Sequence, residues 1–212
     1  MTYQVICADP PWSFGDRLQK MKSPTKRSAV SQYQTMTTDE ICSINVRNIA
    51  DPQGCVLALW VPSSLLIDGI KVMHAWGFSL KGTFVWVKTK KFHANLPKFI
   101  QKLIRRSTDF IPDDLLAFGM GRLFRQTHEI ALIGTSGKSV YPLLRDHSQR
   151  SVSLEPNMGH SIKPEALQDR LEKMFPDANK LEMFARRLRN DWTCLGNEID
   201  GRDIRVSIDQ LV

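Results

Sequence analysis

The 212-residue chain has no Cys-x-x-Cys pair: Cys7, Cys42, Cys55 and Cys194 lie far apart, two of them inside apolar runs. That spacing excludes a zinc ribbon or redox dithiol and points to buried free thiols. Five scattered histidines offer no His-x-x-x-His spacing, so no metal cofactor is expected. The longest apolar run, Cys55 to Pro62, falls far short of the roughly 20 residues of a membrane span. The first residues enter a strand pattern without a basic and then apolar leader. A cytoplasmic protein without a membrane partner is therefore expected. Internal repeats and low-complexity tracts are also absent. A length of 212 residues at 42% hydrophobic content suits one core, read as a single domain over 1–212.

Acid is scarce in particular places. Between Trp12 and Tyr33, Arg17, Lys20, Lys22, Lys26 and Arg27 meet only Asp16. Between Val87 and Thr108, Lys88, Lys90, Lys91, Lys98, Lys102, Arg105 and Arg106 meet no acid at all. Arg186, Arg187 and Arg189 make a third cluster, and the whole chain carries a formal charge of +7. Such patches favour a polyanion, although each can equally be a solvated loop.

What is present alternates short apolar strands with helical periodicity, the pattern of an α/β protein with a largely parallel sheet. Strands are expected at Tyr3 to Ala8, Cys55 to Val61, Thr83 to Val87, Ile130 to Gly134 and Lys180 to Phe184. Thr37-x-x-Glu40 predicts a capping box opening a helix through Asn45. A second helix should run from Ser63 or Ser64 to Trp76, stopped by Gly77. A third should start at Pro164 and align Leu167, Leu171 and Phe175 before Pro176. Two basic segments, 13–32 and 90–112, interrupt this order and read as functional loops, the second with a short helix over 97–106.

The first strand ends in Asp9-Pro10-Pro11-Trp12. Two prolines fix φ and remove two N–H donors, so this turn is rigid and rich in acceptors beside an indole. That combination suits an amino group on a planar ring, although a tryptophan packed under an Asx-Pro turn would read the same way.

Asp9-Pro-Pro-Trp12, Tyr33-Gln-Thr-Met-Thr-Thr-Asp-Glu40, Leu59-Trp60-Val61 and Trp86-Val87-Lys88-Thr89 are joined by further blocks in order. These are His128-Glu129, His160-Ser161-Ile162-Lys163-Pro164-Glu165, Glu182-Met183-Phe184 and Leu195-Gly196-Asn197-Glu198. Together, nearly end to end, they resemble the MT-A70 N6-adenine methyltransferases. The resemblance implies a Rossmann-like methyltransferase fold: a mostly parallel central sheet flanked by helices, in permuted order. The catalytic motif then comes first, and the cofactor strand, Lys180 to Phe184, comes late and central.

The resemblance also implies S-adenosylmethionine as methyl donor, no metal, and transfer to N6 of adenine. Asp9, Pro10, Pro11 and Trp12 become catalytic. Asp9 and the Pro10 carbonyl would accept the amino hydrogens while Trp12 stacks on the base. Cofactor binding falls to Asp9, His160, Ser161, Phe184, Arg186, Asn197 and Glu198. Phe184-Ala185-Arg186-Arg187 stands where methyltransferases commonly carry a glycine-rich turn, so Arg186 is read as a side-chain substitute. Tyr33 and Trp60 would wall the base pocket, Lys88 would meet the backbone, and His128, with Glu129, would lie on the cofactor side or in the pocket. Each has a plainer reading: Trp60 as core, Tyr33 as a turn cap, Lys88 as a strand-end lysine, Ser161 as an N-cap. A nucleic-acid partner is expected, DNA rather than RNA, with the base flipped or single-stranded. The host is a bacterium or a phage-infected cell. RNA methylation and a silent nucleic-acid-binding subunit are the alternatives, and a homodimer is compatible with the sequence.

Overall fold

The computed structural model describes residues 1–14, 35–90, 116–117, 119, 123–157, 159 and 162–212. These residues form a seven-stranded sheet from β1 (Val5–Ala8), β2 (Cys55–Val61), β3 (Ser79–Thr89), β4 (His128–Ser136), β5 (Val152–Pro156), β6 (Lys180–Met183) and β7 (Trp192–Leu195). The order across the sheet is β5-β3-β4-β2-β1-β6-β7. Only β4 runs antiparallel to its neighbours, so the expected mostly parallel α/β sheet is present.

β1 and β2 are buried at every residue, as parallel strands covered on both faces must be. Their side chains alternate between two cores. Ile6, Ala8, Leu57, Leu59 and Val61 join α1 (Thr38–Cys42), α2 (Leu66–Ala75) and the terminal α5 (Ile204–Asp209) through Ile41, Met73 and Ile208. Val5, Cys7, Val56, Ala58 and Trp60 face the other way, onto Leu167, Leu171 and Phe175 of α3 (Ala166–Met174). A short α4 (Asn197–Asp200) follows β7.

Local chemistry accounts for the boundaries. The Thr37 side chain accepts from the Glu40 N–H and the Glu40 carboxylate accepts from the Thr37 N–H, completing the capping box. α1 closes at Ser43, short of the expected Asn45, and a 3-10 turn over Val46–Asn48 follows. α2 is preceded by a 3-10 turn at Ser63–Leu65, and Gly77, at φ +85°, takes the left-handed conformation that stops it. Pro164 lies two residues ahead of the first residue of α3. Gly69 lets α2 lie against β2, since a Cβ there would meet Val61 Cγ2 at 2.7 Å.

Three expectations needed revision. β3 and β4 extend well beyond their apolar centres, because the antiparallel ladder continues through Ser79 and Ser136. β5 and β7 were not expected from sequence. β5 turns Ser153 inward and Val152 and Leu154 outward, the reverse of the usual alternation. β6 is not the middle strand but the second from one edge, beside β1. The segments 13–32 and 90–112, with the 97–106 helix, lie almost wholly outside the described residues.

Candidate active site

Asp9 follows directly on β1, and its N–H donates to the Met183 carbonyl at the end of neighbouring β6 at 3.5 Å. The turn is then locked. Pro10 is buried and its carbonyl accepts the Trp12 N–H at 2.9 Å, leaving one lone pair. The Pro11 carbonyl accepts the Met36 N–H at 2.8 Å and the Met36 carbonyl accepts the Ser13 N–H at 2.9 Å. The chain therefore leaves and re-enters beside the Asp-Pro-Pro-Trp turn.

Trp12 corrects an expectation. Its side chain is only 6% exposed and packs in the α1/α2 core, and its indole N–H donates to the Trp60 carbonyl at 2.9 Å. In this arrangement the indole braces the turn against β2 and presents no open face for stacking on a base. Trp60 is likewise buried, at 1% exposure, on the opposite sheet face, edge-on to Phe84 at 6.1 Å. It is a floor rather than a wall, as its plainer reading had it.

Above that floor runs a chain of four charges. Both Asp9 carboxylate oxygens lie 2.9 Å from Lys163 Nζ. Lys163 also reaches Glu129 of β4 at 3.2 Å, and Glu129 pairs with Lys88 of β3 at 2.5 Å. The Lys163 ammonium sits 5.7 Å over the Trp60 ring and the Lys88 ammonium 5.0 Å over the Trp86 ring. The order Lys88, Glu129, Lys163, Asp9 thus spans β3, β4, β2 and β1, with Lys163 crossing β2 over its indole. Both cations have an aromatic face beneath them. The Asp9 and Glu129 side chains remain 26% and 28% exposed against 17% and 16% for Lys163 and Lys88, so both carboxylates keep access to solvent while the ammonium groups are more covered.

Burial alone would depress the Lys163 ammonium, but Asp9 and Glu129 outweigh it and hold its pKa above the usual lysine value. Burial alone would raise Glu129; Lys163 and Lys88 overcome that and hold it below the usual carboxylate value. Burial pushes Cys7, beneath Asp9 on the same strand, well up, with Glu182 and Asp9 adding to the effect, so this thiol stays neutral.

Lys163 was not among the sequence-expected site residues, and Glu129 entered only alongside His128. Glu129 carried a signal, since it stands next to His128 in a strand where one residue decides the face. Strand alternation puts Glu129 with Trp60 and Lys163, and turns His128 to the other face. Lys163 was legible only as a member of the His160-Ser161-Ile162-Lys163-Pro164-Glu165 block, with no role attached to it.

Along the same edge, Phe184 follows β6 with φ +60°, a strained conformation for an aromatic residue. The Ala185 N–H donates to the Leu195 carbonyl at 2.9 Å, bringing the 184–187 turn against Gly196, where a Cβ would lie 2.3 Å from the Ala185 carbonyl oxygen. Arg186 Nε stands 3.6 Å from the Glu198 carboxylate, and Asn197 and Glu198 are exposed on α4. Phe184 therefore lies next to the Asp9 turn, while Arg186, Asn197 and Glu198 cluster with one another after β6 and β7. Lys88 lies at the far end of the charge chain. Tyr33, His160 and Ser161 lie outside the described residues. Among the described residues, no group of histidine, cysteine and carboxylate side chains could hold a metal ion.

A sequence profile of MT-A70 matches residues 3–198. The chain belongs to the MT-A70 family. It is 28% identical to the type II methyltransferase M.MunI of Mycoplasma sp. over 96% of its own length and 81% of that protein. The MT-A70-like N(6)-adenosine-methyltransferase of Arabidopsis thaliana is 27% identical over 94% of this chain and 24% of its own length. The human N(6)-adenosine-methyltransferase catalytic subunit METTL3 is 25% identical over 94% of this chain and 28% of its own. The MT-A70 chain thus spans most of the first relative and about a quarter of the other two.

Proposed function

We propose that this chain transfers a methyl group from S-adenosylmethionine to N6 of adenine in DNA, acting on a flipped or single-stranded base. The observation that carries the proposal is Asp9: a carboxylate at the sheet's carboxyl edge, open to solvent on one side and held by Lys163 on the other. Similarity to M.MunI over most of both chains favours DNA, and the intact Asp9-Pro-Pro-Trp turn argues against a silent subunit.

The donor set fits S-adenosylmethionine, which supplies an electrophilic methyl carbon. Glu198 and Asn197 offer a carboxylate and an amide suited to two ribose hydroxyls, with Arg186 alongside. The Gly196 approach leaves that turn no room for a side chain. On the adenine side, the N6 lone pair is delocalised into the ring and needs help to react. A carboxylate can accept about four hydrogen bonds, so Asp9 retains lone pairs for the amino group while Lys163 holds the others. The remaining lone pair of the Pro10 carbonyl is the second acceptor. The four-charge chain is neutral overall, yet it ends on a carboxylate, so positive charge developing on N6 meets negative charge at Asp9.

The test is methyl transfer from labelled S-adenosylmethionine to duplex DNA, single-stranded DNA and RNA in parallel, followed by nucleoside analysis. N6-methyladenine from DNA with the parent chain, and a loss of at least about 100-fold with Asp9→Ala at unchanged fold, is expected. Product from RNA alone would reject DNA as the polymer, and an active Asp9→Ala variant would reject the role of Asp9.

A further inference from the structure

The arginine cluster after β6 read in sequence as a patch for polyanions, but Arg189 is not available to one. Its side chain is 16% exposed and meets three acids of a single helix. Nε pairs with Glu172 at 2.6 Å, Nη2 with Asp169 at 2.5 Å, and Nη1 with Glu165. Glu165, Asp169 and Glu172 stand four and three residues apart, so they form one stripe along α3. A planar fork of five donors can serve all three, whereas a lysine ammonium cannot. Arg187 also pairs with Glu165, and the Trp192 indole N–H donates to Glu172 at 2.7 Å with Arg189 6.0 Å over that ring.

The position of this clamp gives it significance. α3 begins just after Lys163-Pro164, so whatever fixes the first turn of α3 also fixes where the Lys163 side chain starts. Arg189 itself sits in the loop between β6 and β7, two residues before Asp191, which has φ +60°. One side chain thus joins the segment following Phe184 to the helix that delivers Lys163.

We propose that Arg189 is a positioning residue, which holds the amino end of α3 so that Lys163 stays over Trp60 and in register with Asp9. This rests on the proposed function for its effect on catalysis, but the geometric part stands independently. Arg189→Met should lower kcat for methyl transfer by about 100-fold, the scale expected when a reacting constellation is displaced by about an ångström. KM for nucleic acid should change little, because Arg189 is buried against α3. Arg189→Lys should recover only a minor share of the loss.

The independent measurement is the 15N spectrum of the lysine side-chain ammonium groups, with Lys163 assigned through Lys163→Arg. In the parent chain the ion-paired Lys163 ammonium should give a protected signal, which should shift or broaden in Arg189→Met. Glu172→Gln keeps an acceptor for Trp192 while removing one charge facing Arg189. It should show the same changes in smaller measure, and it serves if Arg189→Met does not fold. An unaltered Lys163 signal and unaltered kcat in a folded variant with a lowered Tm would make Arg189 a structural brace and overturn the proposal. A Lys163 signal that responds in a parent chain inactive on every polymer would uphold the clamp and reject the methyltransferase reading.

Discussion

A carboxylate placed between two ammonium groups stays ionised to unusually low pH, and Glu129 is so placed, between Lys163 and Lys88. Its folded pKa lies below the ordinary value of 4.5, so its stabilising contribution is full above about 4.5 and is lost as pH falls through the lower folded value. Lys163 works in the opposite sense. Its folded pKa lies above 10.5, so its contribution is full below that value and is lost as pH rises through the folded one. Glu129→Gln should therefore flatten the acid limb of a plot of Tm against pH; an acid limb as steep as the parent's would contradict the ion pairing. At Trp12 the question is geometric. Trp12→Phe removes the donor to the Trp60 carbonyl inside the core and should cost about 1–3 kcal/mol in urea unfolding. A loss of activity without a loss of stability would instead favour a stacking role for the indole.

Among the elements, α2 tests how tightly the helices seat on the sheet. Alanine is favoured over glycine within a helix by about 1 kcal/mol, yet a Cβ at Gly69 would press on Val61 Cγ2 at 2.7 Å and on Leu132 Cδ1 at 3.1 Å. Overpacking should win, so Gly69→Ala should destabilise by about 1–3 kcal/mol; a stabilised variant would mean that α2 can shift outward freely. The same elements mark what was legible beforehand. β1 and β2 could be read because each is an uninterrupted run of buried side chains, and the centres of β3, β4 and β6 because buried apolar residues recur along them. The Thr37 capping box and the Leu167, Leu171, Phe175 stripe could be read from spacing alone. β5 could not, because its outward Val152 and inward Ser153 invert the usual pattern, and neither could β7, which is fully buried only at Trp192.

For the whole molecule, the charge of +7 and the placement of the basic segments belong together. The first leaves the sheet edge at the Trp12–Met36 bridge beside Asp9, and the second leaves after Lys90 and returns at the Thr89–Leu116 bridge. Replacing Lys20, Lys22, Lys26, Arg27, Lys98, Lys102, Arg105 and Arg106 by glutamine should raise the nucleic-acid KM by about tenfold or more near physiological salt. It should also reduce the slope of log affinity against log salt by about 0.9 for each phosphate that is no longer neutralised. An unchanged KM and slope would remove these segments from the nucleic-acid path. By itself the sequence determined the α/β class, the family and the Asp-Pro-Pro-Trp turn at a strand end, because each is written in runs and motifs that are local in the chain. Only the tertiary structure decided that Trp12 braces the core, that Glu129 rather than His128 joins Asp9, and that Lys163, 154 residues along the chain from Asp9, bridges the two carboxylates. Those outcomes depend on which sheet face a side chain takes and on which helix delivers it, and neither is set by neighbours along the chain.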